Sequence, residues 1–561
     1  MANKQKLELT WIGKENRPRL EPRILLEDPA RSIHATHRVT DHDLFDNRLI
    51  FGDNLLALKA LEQEFAGKIK CIYIDPPYNT GSAFEHYDDG LEHSIWLALM
   101  RDRLEIFRKL LTQNGLIFIQ IDYREGARLK VLIDEIFGEN CFKNEIVVRR
   151  GTKNVQSQFE TIDSLSTGHD SVYLYSRNQD VRLPKLQALT EETEPGKWDT
   201  FWRGTDRPTM RYELFGITPE SGQWRWAKER SKQAVKNYED YLADFEKVMS
   251  LDDYYGLRLQ EAGTELDFVR LGSENTVQYF VSPRNYKILS DVWMDLKTTG
   301  KKTDFQHEKH EELMERIIRW ATSNGDWVLD SFAGSGTTGA VAHKMGRRWI
   351  MVELGEHCHT HIIPRMGKVI DGSDPGGVTD AVGWKGGGGF RYYRLAPSLL
   401  EKDKWGNWVI SKEFNPAMLA EAVCKLEGFA YAPSESAYWQ HGRSTERDFI
   451  FVTTQALNHE QLQHLSDEVG PDRTLLVVCS AFRGRKDGYP NLTIKKIPKA
   501  VLSRCEWGHD DYSLKVENLP PAPPPPGQQE LLLDSVIRTS RTTASDVKSY
   551  DIKKTTKGNP T

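Results

Sequence analysis

The chain has 561 residues, of which 39% are hydrophobic and 28% are charged, a composition typical of a soluble globular protein. One hydrophobic core cannot accommodate this length, so we expect about two to four domains. No apolar run approaches the roughly 18 residues that a membrane helix needs, and the N-terminal stretch lacks the pattern of a secretory signal. The net charge of −6 disfavours a nucleic-acid binder only mildly, since a local basic face can bind phosphates.

Cysteine and histidine usage argues against a metal site. The six cysteines form no CxxC pair, which indicates reduced thiols in a bacterial cytoplasm. They are Cys71, Cys141, Cys358, Cys424, Cys479 and Cys505. The stretch "GEHCHTH" at 355–361 holds three histidines, but positions 357, 359 and 361 cannot share one face of the helix expected there. We predict no metal.

Strands and helices alternate in the first quarter of the chain. "IKCIYID" at 69–75 predicts a strand, and apolar residues at three- and four-residue steps from Trp96 to Leu111 predict a helix. We expect this helix to end at "TQNG", with Gly115 as its C-terminal cap. "LIFIQID" at 116–122 then predicts a buried strand, and "ARLKVLIDEIF" another helix. The alternation predicts a doubly wound, mostly parallel α/β sheet.

A polar, aromatic-rich insert interrupts this alternation. It extends from 146 to 290 and contains "FWRGTDRPTMRYELFGITPESGQWRWAKER", and only "HDSVYLYSR" at 169–177 reads as a further core strand. The alternation resumes with "HEELMERIIRWAT" (helix), "DWVLD" (strand), a Gly-rich turn, "GAVAHKMG" (helix) and "RRWIMVEL" (strand). The sheet is therefore expected to form from two separated segments of the chain.

An acid, two prolines and a tyrosine follow the first predicted strand: Asp75, Pro76, Pro77 and Tyr78. Proline lacks the amide donor of a ladder and fixes φ, so the chain leaves the sheet at Asp75 in a stiff turn. This pattern favours a functional site. The alternative is an Asp-Pro turn without chemistry.

A second candidate site lies in "VLDSFAGSGTTGAVA" at 328–342, where Asp330 ends a strand and Gly334 and Gly336 precede a helix. Glycines let a ligand approach the backbone, and a helix N-terminus offers unpaired N–H groups. Glu353 ends the next strand, where an acid can accept hydrogen bonds from ribose hydroxyls. The alternatives are a purely structural tight turn, and an acid that satisfies a helix N-terminus.

Together, "DPPY" followed by "FAGSG" resembles the beta-class DNA amino-methyltransferases. The stretches "LTWIGKENRPRLEPRIL", "LIFGDNLLALKALEQEFAGKIKCIYIDPPYNTGS" and "GWKGGGGFRYYRL" resemble in particular the modification subunits of type III restriction systems and related stand-alone adenine methyltransferases. The resemblance covers roughly residues 5 to 400. It implies a Rossmann-like fold that uses S-adenosylmethionine as methyl donor.

The resemblance also implies residue roles. Asp330, Phe332, Ala333, Gly334, Ser335 and Gly336 would line the methionine part of the cofactor, with Glu353 at its ribose. Asp53 would lie near its adenine, although an ordinary helix N-cap also explains this residue. Members of the family usually carry Lys-Pro ahead of the Gly-rich turn, where this chain has Lys309-His310, so the pattern leaves Lys309 and Phe305 unassigned.

The implied reaction is methylation of adenine N6 in duplex DNA after base flipping. Asp75 and the Pro76 carbonyl would accept both N–H bonds of the amino group, and Tyr78 would stack on the base. Three alternatives stay open: cytosine-N4 methylation, a catalytically silent DNA-binding specificity subunit, and methylation of protein or RNA. Duplex DNA, a second copy of the chain and a helicase-nuclease subunit are the expected partners, whereas the bases read cannot be deduced.

The resemblance and the composition together predict six parts of the chain. They are an N-terminal arm (1–40), a methyltransferase catalytic domain (41–145 and 291–370), a target-recognition insert (146–290), a Gly-rich connection (371–399), a C-terminal α/β domain (400–517), and a Pro-rich linker with a flexible tail (518–561). Within the connection, residues 371–394 predict a loop that enters a strand.

Overall fold

The computed structural model describes residues 8–77, 89–150, 165–296, 305, 308–485 and 488–513, and the predicted catalytic residue Tyr78 lies outside these ranges. The chain divides into two compact units. The sheet unit comprises residues 1–145, 149–181 and 296–561, and the insert unit comprises 146–148 and 182–295. Within the described ranges, no helix is long and apolar enough to cross a bilayer.

The first half of the sheet unit supplies most of the central sheet. Its elements are β1 (Leu25–Glu27), β2 (Ile33–His34), β3 (Asn47–Phe51), α1 (Asn54–Phe65), β4 (Ile69–Ile74), α2 (Asp89–Leu110), β5 (Leu111–Ile121), α3 (Tyr123–Phe137), β6 (Phe142–Arg149) and β7 (His169–Ser176). The core strand expected within the insert is β7, and it belongs to the sheet unit.

The insert unit has its own small sheets and two helices. Its elements are β8 (Gln187–Glu194), β9 (Lys197–Thr200), β10 (Trp202–Arg203), β11 (Gln223–Trp224), α4 (Lys228–Asp244), α5 (Leu251–Ala262), β12 (Val269–Leu271), β13 (Val277–Val281), β14 (Arg284–Ile288) and β15 (Val292–Trp293). Strands β12, β13 and β9 form one antiparallel sheet. Its core is rich in aromatic side chains, among them Phe201 and Trp224.

The chain then completes the central sheet. The elements are α6 (Glu311–Ala321), β16 (Trp327–Asp330), α7 (Thr337–Lys344), β17 (Arg348–Glu353), α8 (Ile363–Asp371), α9 (Val378–Val382) and β18 (Gly389–Leu395). The strand order in the sheet unit is β1-β18-β3-β17-β16-β4-β5-β7. Strands from β18 to β5 run parallel, whereas β7 is antiparallel to β5. The predicted doubly wound, mostly parallel α/β fold is confirmed.

The sheet is hydrophobic on both sides because helices cover both of its faces. Helices α1, α2 and α3 pack together as one layer, and α6, α7 and α8 pack as another. Consecutive residues of β4 and β5 are accordingly buried: Ile72, Tyr73 and Ile74 on β4, and Ile117, Phe118 and Ile119 on β5.

The predicted helix cap at Gly115 is wrong. Helix α2 ends at Leu110 and β5 begins at the next residue, so that Gly115 lies inside a strand. A Cβ at Gly115 would come within 3.1 Å of the Ile69 carbonyl oxygen on β4. The glycine therefore permits close approach of two strands where the β4–β5 register shifts, and it does not end the helix. The predicted connection 371–399 also contains α9 and β18, which extends the sheet beside β3.

The last described part of the chain carries a second sheet. Its elements are β19 (Leu400–Lys402), β20 (Trp408–Ile410), α10 (Pro416–Glu427), β21 (Ala430–Tyr431), β22 (Gly442–Arg443), β23 (Asp448–Val452), β24 (Ala456–Leu457), α11 (His459–Val469), β25 (Thr474–Cys479), β26 (Ala481–Phe482) and β27 (Leu492–Lys496). The sheet order is β21-β22-β23-β25-β27. The predicted linker and tail from 518 onward lie outside the described residues.

We expect Asn47→Leu to destabilise the sheet unit. Asn47 is fully buried at the start of β3, where its Nδ2 donates to the Gly389 carbonyl (2.9 Å) and its Oδ1 accepts from the Trp349 amide (2.9 Å). Leucine leaves both backbone groups unpaired in the core, at a cost of about 2–4 kcal/mol. Urea unfolding measures this loss. The exposed control Asn178→Leu should change stability by far less, and equal losses in the two variants would contradict the role given to Asn47.

Candidate active site

Those predicted site residues that the structure describes meet at one edge of the central sheet. Strands β4 and β16 are parallel neighbours, so that Asp75, which follows β4, and Asp330, which ends β16, lie at the same edge. Strand β17 adjoins β16 and ends at Glu353, and β3 adjoins β17 and is followed by Asp53. Four acids from four strands are therefore gathered along one edge.

Two side chains hold the Asp-Pro-Pro turn: Trp96 binds its backbone, and Lys309 pairs with its acid. The Trp96 indole, fully buried on α2, donates to the Pro77 carbonyl (2.8 Å). The Lys309 ammonium lies 2.7 Å from Asp75 Oδ2, and both side chains are about one-fifth exposed, 22% and 21%. Asp75 is thus held in an ion pair at the rim of the site. Sequence reasoning left Lys309 unassigned because the proline that usually follows it is absent.

Asp330 has a different environment. Its Oδ1 accepts from the Phe332 amide (2.9 Å), and its Oδ2 accepts from the Thr338 hydroxyl (2.6 Å). The side chain is almost completely buried, and this burial, together with the negative charges of Asp75 and Glu353, raises its pKa to about 7. A carboxyl group near its pKa at neutral pH is poised to change charge when a cation binds.

The Gly-rich turn between β16 and α7 depends on its glycines. Gly334 and Gly336 have φ angles of 54° and 78°, a region that costs other residues strain. A Cβ at Gly336 would also come within 3.0 Å of the Ile362 side chain. The ring of Phe305 lies 3.5 Å from the position of a Cβ on Gly334, so it packs over the turn. The other predicted residues of the turn are arranged around it: Phe332 packs on the core, and Ala333 and Ser335 are buried.

Glu353 fastens this turn to the next strand. Its Oε2 accepts from the Gly334 amide (2.8 Å), while its Oε1 accepts from the amides of Leu354 and Gly355 (both 2.9 Å). His357 Nε2 lies 3.0 Å from Oε1, and this hydrogen bond raises the pKa of His357. Among the described residues Oε2 has a single donor, and a carboxylate oxygen can accept two. Glu353 therefore keeps acceptor capacity for a ligand hydroxyl.

Asp53 is a helix N-cap in this structure. Its Oδ1 accepts from the Leu56 amide (3.0 Å) at the start of α1, and its Oδ2 accepts from the Tyr512 amide (2.9 Å). The Arg103 guanidinium lies 3.7 Å from Oδ2, and both side chains are only 1% exposed. The capping alternative is thus confirmed, whereas a contact with a cofactor adenine stays a prediction.

Asn54, Arg365 and Thr338, whose contact with Asp330 is given above, also position the Gly-rich turn. The Asn54 amide donates to the Ser331 carbonyl (2.8 Å). The buried Arg365 guanidinium donates to the Thr337 hydroxyl (2.9 Å) and also pairs with Glu308 (2.8 Å). Thr338 and Arg365 carried no signal in the sequence, because their partners lie on other elements of the fold.

The histidine-rich stretch after β17 is used for local contacts. His359 Nε2 lies 2.8 Å from the Tyr392 hydroxyl and its Nδ1 lies 3.0 Å from Glu356. His357 pairs with Glu353, and the ring of His361 packs against Phe305. In the ranges that the structure describes, no group of three or more His, Cys, Asp and Glu is arranged to hold a metal ion.

We expect Asp330→Asn to remove a pH-dependent loss of stability. Between about pH 4 and 7 the Asp330 carboxyl ionises in the unfolded chain but stays protonated in the folded one. Its contribution to the free energy of unfolding is therefore complete at low pH and falls as pH rises to about 7. Asparagine carries no charge: its Oδ1 can accept from the Phe332 amide, and its Nδ2 can donate to the Thr338 hydroxyl oxygen. Urea unfolding across this pH range should show the free energy of unfolding of the variant increasing relative to that of the wild type as pH rises.

For the exposed control Asp472→Asn, the free energy of unfolding should change with pH as it does for the wild type over the same range. A difference between Asp330→Asn and the wild type that does not change with pH would contradict the raised pKa of Asp330.

Comparison with known proteins identifies the family of this chain. The profile of the DNA methylase family matches residues 69–363, more than half of the chain. A protein described as "Probable type III restriction-modification enzyme HindVI Mod subunit", from Haemophilus influenzae, is 32% identical over 66% of this chain and 56% of its own length. The type III restriction-modification enzyme EcoPI Mod subunit of Escherichia phage P1 is 27% identical over 61% of this chain and 62% of its own length. The chain thus spans about three-fifths of these relatives, and it belongs to the DNA methylase family.

Proposed function

We propose that this protein is a site-specific DNA methyltransferase that transfers a methyl group from S-adenosylmethionine to adenine N6 in duplex DNA. One observation carries the proposal. Asp75 and Asp330, each following its own strand, are gathered with the Gly-rich turn at one sheet edge in a member of the DNA methylase family. The resemblance of the sequence to type III modification subunits supports a role in restriction-modification and defence against phage.

The residues of the turn fit the proposed cofactor. S-adenosylmethionine supplies an electrophilic methyl group when it is bound. Asp330 would face its ammonium group, since a buried carboxyl that has no cation beside it among the described residues is a natural partner for one. The Gly334–Gly336 turn would lie along the methionine part, and the open acceptor position of Glu353 Oε2 would receive a ribose hydroxyl. Asp53, already engaged as a cap, would lie near the adenine.

Asp75 and Pro76 would act on the target base. Engaging both N–H bonds of the adenine amino group favours a more available lone pair on nitrogen, and the stiff Pro-Pro turn fixes both acceptors. The Lys309 ammonium pairs with Asp75 Oδ2, so the incoming amino group would share or replace this contact. We also assign the stacking of the flipped base to Tyr78, which lies outside the described residues. In the family that the sequence resembles, an Asp at the first position of this motif implies adenine as the target and not cytosine.

The insert unit would recognise the target sequence. Three of its arginines lie over aromatic rings: Arg225 over Tyr279 (4.6 Å), Arg230 over Trp226 (4.5 Å) and Arg270 over Trp198 (4.1 Å). Such pairs hold guanidinium groups on a rigid surface, where they can contact phosphates and base edges.

The relatives also suggest how the protein works in the cell. Both are described as Mod subunits of a restriction-modification enzyme, so we propose a helicase-nuclease partner and a homodimer for this chain. All six cysteines are buried free thiols, which supports a reducing bacterial cytoplasm.

We expect Asp75→Asn to lower the methylation rate by about a hundredfold or more, because an amide group offers a weaker acceptor to the target amine. Affinity for S-adenosylmethionine should stay within a few fold of the wild type, since Asp75 does not line the turn. Tritium transfer from labelled cofactor to duplex DNA measures the rate, and calorimetry the affinity. The exposed control Asp380→Asn should behave as the wild type. Normal methylation by Asp75→Asn would overturn the assigned mechanism.

Long-read sequencing of DNA from cells that express the wild-type protein tests the reaction itself. We expect modified adenines at one recurring sequence, and none in cells that express Asp75→Asn. Modified cytosines would establish the N4 alternative, and unmodified DNA would indicate a silent specificity subunit.

We expect Asp330→Asn to weaken S-adenosylmethionine binding in a pH-dependent way. Because the Asp330 pKa is about 7 in the free protein, binding of the ammonium group requires loss of the carboxyl proton at lower pH. Calorimetry should show wild-type affinity rising from about pH 6 to 8, and a weaker affinity with a flatter profile for the variant. Equal affinities at every pH would refute the contact between Asp330 and the cofactor.

A further inference from the structure

A basic groove lies on the sheet unit away from the candidate active site. It has a volume of about 550 Å³, and its walls come from the N-terminal segment, α2, α3 and the residue after β7. The adjoining ends of α2 and β5 are Leu110 and Leu111, and Leu111 pairs with Ile69 at the start of β4. Asp75 follows the other end of β4. The groove therefore lies near the sheet edge opposite the one that gathers the catalytic acids.

Six cations line this groove, and four of them have an acidic partner within 3 Å. The pairs are Lys14 with Glu8 (2.8 Å) and Glu135 (3.0 Å), Arg17 with Glu105 (2.6 Å), Arg101 with Asp102 (2.7 Å), and Lys109 with Glu62 (2.7 Å). The local charges of these four side chains are thus compensated within the protein.

The other two cations, Arg108 and Arg177, have no such compensation. Neither side chain forms an ion pair or a hydrogen bond within the described part of the chain, although both are half-buried. The Nε atom of Arg108 and the indole nitrogen of Trp11, another lining residue, are buried without an acceptor there. Burial and the nearby Arg108 guanidinium lower the pKa of Arg177. Two like charges are thus held close together with donors in excess of acceptors.

Both arginines stand on rigid backbone. Arg108 lies in the last turn of α2 between Phe107 and Leu110, which are fully buried. The Arg177 amide donates to the Gly115 carbonyl (2.9 Å), directly after the β5–β7 ladder. Fixed backbone positions reduce the conformational freedom that is lost when these side chains bind a ligand, and each guanidinium group is a planar fork of donors. Partly desolvated cations without a counter-charge cost free energy, and a bound anion removes this cost.

We propose that Arg108 and Arg177 form a binding site for the phosphate group of a free small molecule. A guanidinium fork matches phosphate oxygens in a bidentate manner, and two forks supply the positive charge that a phosphate dianion needs. The groove is large enough to hold a nucleotide around that phosphate. Because it lies opposite the catalytic edge, we expect a small phosphate-bearing ligand and not the duplex that is methylated.

The test measures binding of inorganic phosphate, pyrophosphate and ATP to the full-length protein by calorimetry and thermal shift. At least one of the three probes should bind saturably at millimolar concentrations or below. Arg108→Gln and Arg177→Gln should each lower the affinity by at least about tenfold, as expected for loss of charge-assisted hydrogen bonds. The matched control Lys109→Gln, a groove cation that already has an acidic partner, should bind as the wild type does.

The melting temperature and the affinity for duplex DNA are two further readouts, which separate this site from a structural role and from DNA binding. Without any anion and at low salt, Arg177→Gln should melt at the same temperature as the wild type or higher, because it removes like-charge repulsion. A lower melting temperature would indicate a structural arginine and overturn the proposal. So would absence of binding by all three probes, or a loss of affinity confined to duplex DNA. Methylation activity of these variants reports on the proposed enzyme independently of the anion site.

Discussion

Parallel pairing of β4 with β16 is the constraint on which the rest of this structure depends. These strands come from segments separated by the whole insert, and their ladder sets Leu329 beside Ile72. Because the two strands run in the same direction, the residues that follow them must emerge at one edge. The remaining features of the site are local. A stiff Asp-Pro-Pro turn follows β4, the Gly-rich turn follows β16, and Lys309 pairs with Asp75 in the first of these turns. A slip in this register would separate the two acids although each turn stayed intact.

The two acids at this edge occupy contrasting environments. Asp75 sits at the rim and shares its charge with Lys309, whereas Asp330 is buried and holds its proton up to about neutral pH. The proximity of Asp75 itself contributes to the high pKa of Asp330, so the two sites are coupled electrostatically. A buried carboxyl of this kind lowers the stability of the free protein and strengthens its preference for a cationic ligand. Loss of stability at functional positions is a common compromise in enzymes.

Much of this architecture could be predicted from the sequence, and the failures have physical causes. The alternation of apolar strands and amphipathic helices indicated the parallel sheet, and the insert was visible as a break in it. The end of α2 was misplaced because a glycine at position 115 can either cap a helix or permit a close contact between strands. Only its approach to the neighbouring strand β4 shows which of the two roles it has. Strand β18 is the strand that the Gly-rich loop was expected to enter, but its place in the central sheet beside β3 carried no signal in the sequence.

At the site, sequence patterns located the residues at the strand ends but not those that support them. Arg365, Thr338 and Asn54 act through partners on other elements, which no local pattern reveals. Asp53 shows the opposite difficulty, since a single acid before a helix fits both a cap and a ligand contact. In the structure Asp53 caps α1 and also accepts a hydrogen bond from the Tyr512 amide.

That contact with Tyr512 bears on where the chain could be divided. Every recognisable motif ends before residue 400, which invites the idea of a minimal catalytic fragment. Yet Asp53, the acid that follows β3, accepts a hydrogen bond from the Tyr512 amide, more than a hundred positions beyond residue 400. Arg103 donates to the Tyr512 carbonyl (3.2 Å). Cutting the polypeptide at the last motif would expose the buried Asp53 carboxylate and Arg103 guanidinium to water, so we expect the smallest stable fragment to extend well past the recognisable motifs.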